Sequence, residues 1–235
     1  MQIGISAPRV TVTWRVEAEF AFDKRSWNLA LCVVYDVSYT TEVEMITLNV
    51  HSTIGYVWEG LGLVWLIGLA FTKRTVRSQT GRTRLFQMAV FLLGFLMVGS
   101  DWFRKGWLGV RFIPESYSVE VLGLALTVSG CLFAICARLT LGGNWSGRAT
   151  VKDGHELIVK GPYSLARHPI YTGLLLGCLG TTLAFGEWGC VLGLFIIVIG
   201  LLLKMSQEEK LMMETFPEAY SRYRHRVKAL IPGVL

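Results

Sequence analysis

The chain has 235 residues, 52% of them hydrophobic and only 17% charged, with 8 Trp and a formal net charge of +6. With a mean hydropathy of +0.47, it carries more apolar surface than a soluble domain of this length can bury, which excludes an ordinary soluble fold and a disordered chain. A multi-pass membrane protein is left, and no nucleic-acid partner is expected.

Residues 1–50 stand apart from the rest. Val10, Val12, Trp14, Val16, Ala18, Phe20 and Phe22 alternate with mostly polar neighbours, the period of two of a half-buried strand. Four basic against six acidic residues leave this segment at −2, so residues 51–235 carry +8. Two readings stay open: a small β-like appendage on the non-cytoplasmic face, or a poorly ordered extension upstream of a start such as Met45. No charged segment runs into an apolar one as in a signal peptide, so none is expected.

Five apolar runs follow: Ser52 to Phe71, Leu85 to Phe103, Val119 to Ala137, Pro169 to Gly186 and Trp188 to Leu203. Each approaches the ~20 residues a helix needs to cross the hydrocarbon core. The expected fold is therefore all-α: a polytopic bundle of about five transmembrane helices over residues 51–235, with its site-bearing half at about 138–235. Only Glu187 separates the last two runs, which predicts a tight helical hairpin. Gly173 with Gly177, and Gly189 with Gly193, offer small-xxx-small pairs for close backbone approach.

Basic residues set the orientation. The first connection carries Lys73, Arg74, Arg77, Arg82 and Arg84, the third carries Arg138, Arg148, Lys152, Lys160 and Arg167, and the fourth has none. The positive-inside rule places the first and third in the cytoplasm, with the C-terminal tail on the same side. Arg104, Lys105 and Arg111 in the second connection are a mild exception. Five cysteines without a Cys-x-x-Cys pair or neighbouring histidine ligands are given neither metal nor redox chemistry.

The polar residues at the membrane edges carry the functional signal, because such groups are costly there. His155 to Tyr171 forms a cassette with two histidines, Arg167 and two tyrosines, answered about 37 residues later by Glu208 and Glu209. Pro169 suits the first position of a helix and biases His168 away from helical backbone, so Arg167 and His168 sit at a helix mouth. Free N–H groups and the positive end of the helix dipole favour a carboxylate there. Tyr171, one turn in, points to the same mouth, and Gly161-Pro162 makes a turn able to fold Tyr163 and residues 155–158 back over it. Antiparallel helices bring the start of one and the end of the next to the same depth, so cassette and glutamates converge. The resulting mixture of cations and anions suits a zwitterion with an added positive centre, such as S-adenosylmethionine.

The ordered set Asn144-Trp-Ser, His155-Glu-Leu-Ile-Val-Lys-Gly-Pro-Tyr163, Arg167-His-Pro-Ile-Tyr-Thr-Gly173, Glu208-Glu209 and Phe216-Pro-Glu-Ala-Tyr220-x-x-Tyr223-x-x-x-Val227 resembles the isoprenylcysteine carboxyl methyltransferase family over about residues 120–235. That resemblance implies a membrane helix bundle whose C-terminal half encloses S-adenosylmethionine on the cytosolic side, while a lipophilic substrate enters from the bilayer among membrane lipids. It assigns cofactor contacts to His155, Glu156, Leu157, Ile158, Tyr163, His168, Pro169, Ile170, Tyr171 and Glu208. The family places a substrate-facing arginine four residues before this glutamate, where this chain has Lys204, a point charge without arginine's fork; Arg226 is a second candidate cation for the substrate.

The activity implied is O-methylation of an isoprenylcysteine-like or other lipophilic carboxylate, and no general base is assigned because a carboxylate is already ionised. The expected location is the plasma membrane of a prokaryote or, otherwise, the endoplasmic reticulum. Phospholipid N-methylation, small-thiol S-methylation and a non-enzymatic membrane scaffold are the alternatives. Plainer roles are open to single residues: Arg167 as a snorkelling anchor, Tyr163, Tyr220 and Tyr223 as an interfacial belt, and the basic run Arg222 to Lys228 as a face for anionic lipid.

Overall fold

The structure, a computed structural model, describes residues 9–23, 28–42, 49–72, 75–78, 81–100, 102–103, 105–145, 150–152, 157–231 and 233. The chain divides into two compact units, Met1–Leu48 and Asn49–Leu235. In the first, β1 (Arg9–Asp23) pairs antiparallel with β2 (Asn28–Glu42). The register sets the alternating apolar positions of β1 against mostly apolar positions of β2: Trp14 pairs with Val37, Val16 with Tyr35, Ala18 with Val33 and Phe20 with Leu31.

The second unit is the helical bundle. Its helices are α1 (Val50–Leu69), α2 (Gly81–Gly99), α3 (Tyr117–Leu141), α4 (Pro169–Phe185), α5 (Trp188–Thr215) and the short α6 (Pro217–Arg226). A two-stranded pair, β3 (Thr75–Ser78) with β4 (Thr150–Lys152), joins the first and third connections. α1, α3 and α5 are long and apolar enough to cross a membrane, and Leu85–Gly99 and Pro169–Phe185 are shorter apolar helices. Side chains such as Leu66 (66% exposed), Leu132 (57%) and Phe195 (61%) point outward, as lipid-facing positions must when the bilayer is the solvent. The chain is an integral membrane protein.

Local chemistry explains the helix ends. Asn49 caps α1 by accepting from the Ser52 amide at 3.0 Å. Pro169 opens α4, and Gly186, at φ +64°, closes it in the left-handed conformation with its N–H returned to Thr182 O. One residue later α5 begins. Its 28 residues rise about 42 Å at 1.5 Å each, well beyond the ~30 Å of hydrocarbon, so the polar turns after Leu203 emerge from the membrane as continuous helix. That length puts Glu208 and Glu209 at the level of the start of α4.

Gly173, Gly177 and Gly193 do serve close backbone approach, toward helices earlier in the chain. α3 and α4 pack backbone to backbone: a Cβ on Gly123 would fall 2.6 Å from Gly180 O, and one on Gly130 would fall 2.5 Å from Gly173 O. Gly193 instead approaches α2, where a Cβ would lie 2.8 Å from Gly94 O. The α4–α5 hairpin of the sequence analysis is thus adjacent in chain order, but each arm is clamped to a different earlier helix. Small residues permit close approach without choosing the partner, so spacing alone leaves the partner helix open.

Several polar side chains inside the bundle are satisfied in place. Thr127 Oγ1 donates to Gly123 O at 2.9 Å, Thr181 Oγ1 to Gly177 O at 2.9 Å, and the Trp58 indole N–H reaches Thr181 Oγ1 at 3.0 Å. Trp58 also meets Phe95 edge-on at 5.7 Å, so one side chain of α1 links α2 and α4. The mild charge exception also has a local cause, since Arg111 lies near Glu115 (3.8 Å) and Glu120 (4.0 Å).

Candidate functional site

The start of α4 and the polar end of α5 meet as the dipole argument requires. Tyr171 donates its hydroxyl to Glu208 Oε2 at 2.7 Å. Arg167 grips Glu209 Oε1 through Nε at 2.9 Å and Nη2 at 2.6 Å. The His168 ring lies between the two carboxylates, with Nε2 3.4 Å from Glu209 Oε1 and Nδ1 3.7 Å from Glu208 Oε2, and stacks on Tyr171 at 5.3 Å with 5° between the planes. Lys204, one turn before Glu208, has Nζ 3.6 Å from Glu208 Oε1 and 5.6 Å from the Tyr171 ring centre.

The tail beyond α6 closes this mouth. Arg167 N–H donates to Lys228 O at 2.8 Å, His168 N–H to Ala229 O at 2.9 Å, Arg167 Nη1 to Val227 O at 2.6 Å and Thr172 Oγ1 to Leu230 O at 2.7 Å. Arg167 is therefore a clamp between α5 and the tail rather than a snorkelling anchor. Tyr220 and Tyr223 are each 3% exposed, and Tyr223 donates to Tyr163 O at 2.5 Å. These tyrosines form a buried seam under the cassette, not an interfacial belt.

The two glutamates differ in what neutralises them. Burial works against ionisation of Glu209, but hydrogen bonds from His168 and Arg167, with their charges, hold its carboxyl down at about 2. Glu208 accepts one short bond, from the Tyr171 phenol, while Lys204 Nζ and His168 Nδ1 lie no closer than 3.6 Å, so it keeps acceptor capacity. Burial, then the Glu208 charge, push the Tyr163 phenol above its ordinary range; burial raises Tyr223 to about 12 against the pull of Arg167.

Of the residues predicted from the sequence, Tyr163, His168, Pro169, Ile170, Tyr171, Lys204 and Glu208 gather at this mouth; Tyr163, Pro169, Ile170 and Tyr171 are buried. Leu157 and Ile158 are half-buried on the segment leading to the Gly161–Ser164 turn, where Gly161 takes φ +60°. His155 and Glu156 lie outside the described residues. Arg226 ends α6 exposed, apart from the contacts that build the mouth. Two features were missed. Gln87 of α2 donates to Gln207 of α5 at 2.9 Å beside the glutamates, and Arg138, counted as a loop charge, is buried at 4% exposure in the last turn of α3. An arginine at the end of an apolar run looks like an anchor, and only the Gly142-Gly143 pair after it hints at a folded-back chain end.

Residues 122–214 match the isoprenylcysteine carboxyl methyltransferase family. The chain is 28% identical over 119 residues to a protein-S-isoprenylcysteine O-methyltransferase of Xenopus laevis, covering 49% of this chain and 41% of that one. It is 29% identical over 147 residues to the cobalt-zinc-cadmium resistance protein CzcN of Cupriavidus metallidurans, covering 62% and 60%. To the protein-S-isoprenylcysteine O-methyltransferase of Schizosaccharomyces pombe it is 27% identical over 201 residues, covering 77% and 84%. The match thus spans about half the length of the first two relatives and most of the third.

Proposed function

We propose, from the match of residues 122–214 to the isoprenylcysteine carboxyl methyltransferase family and the likeness to its members, that this chain is a membrane methyltransferase of that family. In this reading it takes a methyl group from S-adenosylmethionine and places it on the carboxylate of a lipophilic acceptor of the isoprenylcysteine class. The basic connections and the tail lie on the cytoplasmic side, where the donor is met, and the acceptor comes from the bilayer. The observation that carries the proposal is the half-neutralised Glu208, fixed by Tyr171 and flanked by His168 and Lys204. A carboxylate with spare acceptor capacity beside an aromatic wall fits a cationic donor and its hydroxyl-bearing nucleoside.

The donor supplies an already activated methyl group on a sulfonium. An acceptor carboxylate oxygen forms the new C–O bond as the C–S bond breaks, leaving a methyl ester and the neutral thioether, with no proton to move. Positioning is then the main contribution of the protein, worth up to ~7–11 kcal/mol when the geometry is held. Glu208 and Tyr171 orient the donor, while Lys204 places a positive charge one turn away for the acceptor carboxylate. The tail clamped by Arg167 keeps water from the mouth.

Equilibrium binding of labelled S-adenosylmethionine to the purified protein, with incubation alongside a farnesylated cysteine derivative, tests the reading. Donor binding and a base-labile methyl ester are expected. His168→Ala and Glu208→Ala should abolish donor binding with helix content unchanged; wild-type affinity in both variants would sink the site assignment.

A further inference from the structure

Arg138 is the most anomalous charge in the bundle. It is 4% exposed. Nη1 donates to Gly142 O at 2.9 Å and Nη2 to Gly68 O, at the end of α1, at 2.7 Å, and the guanidinium lies 4.4 Å over the Trp145 ring. Nε is buried and has no acceptor among the described residues. None of these partners is an anion, and among the described residues no carboxylate pairs with this side chain. Two helix C-termini contribute partial negative charge, yet a buried cation without a full counter-charge is unfavourable and calls for an explanation.

Glu208 has the complementary deficit, since Lys204 Nζ and His168 Nδ1 stand at 3.6 and 3.7 Å. The Tyr163 phenol feels the charges of both Arg138 and Glu208. Ala137, next to Arg138, belongs to one buried cluster with Tyr163, Ile170 and Tyr171, and Trp145 and Ile158 pack against it. The end of α3, the Gly161–Ser164 turn and the α4–α5 mouth therefore share one buried cluster, which adjoins a cation unmatched among the described residues and a half-matched carboxylate.

We propose that Arg138 holds the carboxylate of an α-amino-acid group whose cationic portion faces Glu208, and that this group is the methionyl end of the methyl donor. The proposal rests on the function above, which names that donor. Nε and the second hydrogen of a neighbouring Nη offer the side-on fork that a carboxylate accepts. Trp145 covers one guanidinium face, and the Gly68 and Gly142 carbonyls fix its plane. Arg138 thereby also ties α1, which lies outside the matched region 122–214, to donor binding.

The test compares S-adenosylmethionine with its decarboxylated analogue by calorimetry, using the full chain in nanodiscs as wild type, Arg138→Gln and Arg138→Lys. One charge-assisted fork predicts that wild type favours the carboxylate-bearing donor roughly ten- to hundredfold. Arg138→Gln should lose that preference while binding the decarboxylated analogue as wild type does, and Arg138→Lys should keep part of it. A wild type that binds both ligands equally overturns the proposal without any variant. Equal weakening of both ligands in Arg138→Gln would reduce Arg138 to a structural clamp, and unchanged donor affinity with a raised acceptor KM would give it to the acceptor. A wild type that binds neither ligand instead removes the proposed function itself.

Discussion

Glu208 and Glu209 are adjacent, yet their surroundings give them different tasks. On the helix they point about 100° apart, one toward Tyr171 and Lys204, the other toward Arg167 and the tail. Glu209 lies beyond the apolar part of α5, where two charged partners hold its carboxyl at about 2 against an ordinary 4.5. A carboxyl lowered on folding contributes stability that is complete above about 4.5 and lost as pH falls toward 2. Glu209→Gln should therefore cost ~1–3 kcal/mol at neutral pH and flatten the acid limb of the stability curve. Thermal unfolding of the detergent-solubilised protein between pH 3 and 7 checks both effects, and a variant that keeps the wild-type acid slope would assign that slope to another group.

At the scale of elements, two intimate helix pairs, α3 with α4 and α2 with α5, carry the bundle, and the site lies where one member of each pair meets the other. Backbone contact at Gly130 leaves no room for a methyl group, because the neighbour is the main chain of α4 rather than a side chain that could turn away. Gly55 and Gly60 of α1 have nothing within 4 Å of a Cβ, so their glycines serve no close approach. Gly130→Ala should destabilise by ~1–3 kcal/mol through overpacking and impair the site indirectly, by shifting α4. Gly60→Ala should be neutral or stabilising by up to ~1 kcal/mol through helix propensity. Melting temperatures in one detergent decide it: equal shifts at the two positions would show that α3 and α4 are not locked by this contact.

Across the whole molecule, the number and approximate place of the apolar helices were legible in the sequence, because a membrane crossing demands a run of apolar residues and little else; the polar continuation of α5 to Thr215 was not. The convergence of Tyr171 with Glu208 was legible for a related reason: Pro169 marks one helix start, and antiparallel order fixes the depth of the other end. Partner choice among the helices was not, since Gly173 and Gly193 advertise closeness without direction. Nor was the burial of Arg138, which depends on a carbonyl 70 residues away on α1. The role of the tail was equally hidden, because the atoms of residues 227–230 that it uses are backbone oxygens, which every residue type possesses. Those four carbonyls reach Arg167, His168 and Thr172, so the end of the chain closes a mouth built some 60 positions earlier. A chain ending at Arg226 keeps every apolar helix and the contacts of Glu208 with Tyr171, His168 and Lys204, and should insert with unchanged far-ultraviolet circular dichroism. Without the tail, Arg167 loses its Val227 acceptor and the mouth opens to water, where charge pairs weaken as the effective dielectric rises. Donor affinity should fall at least tenfold, on the order of one lost charge-assisted hydrogen bond. Added salt should weaken what remains more steeply than in the full chain, because exposed pairs are screened and buried ones are not. A truncated protein with full affinity and the same salt dependence would mean that the α4–α5 mouth excludes water by itself.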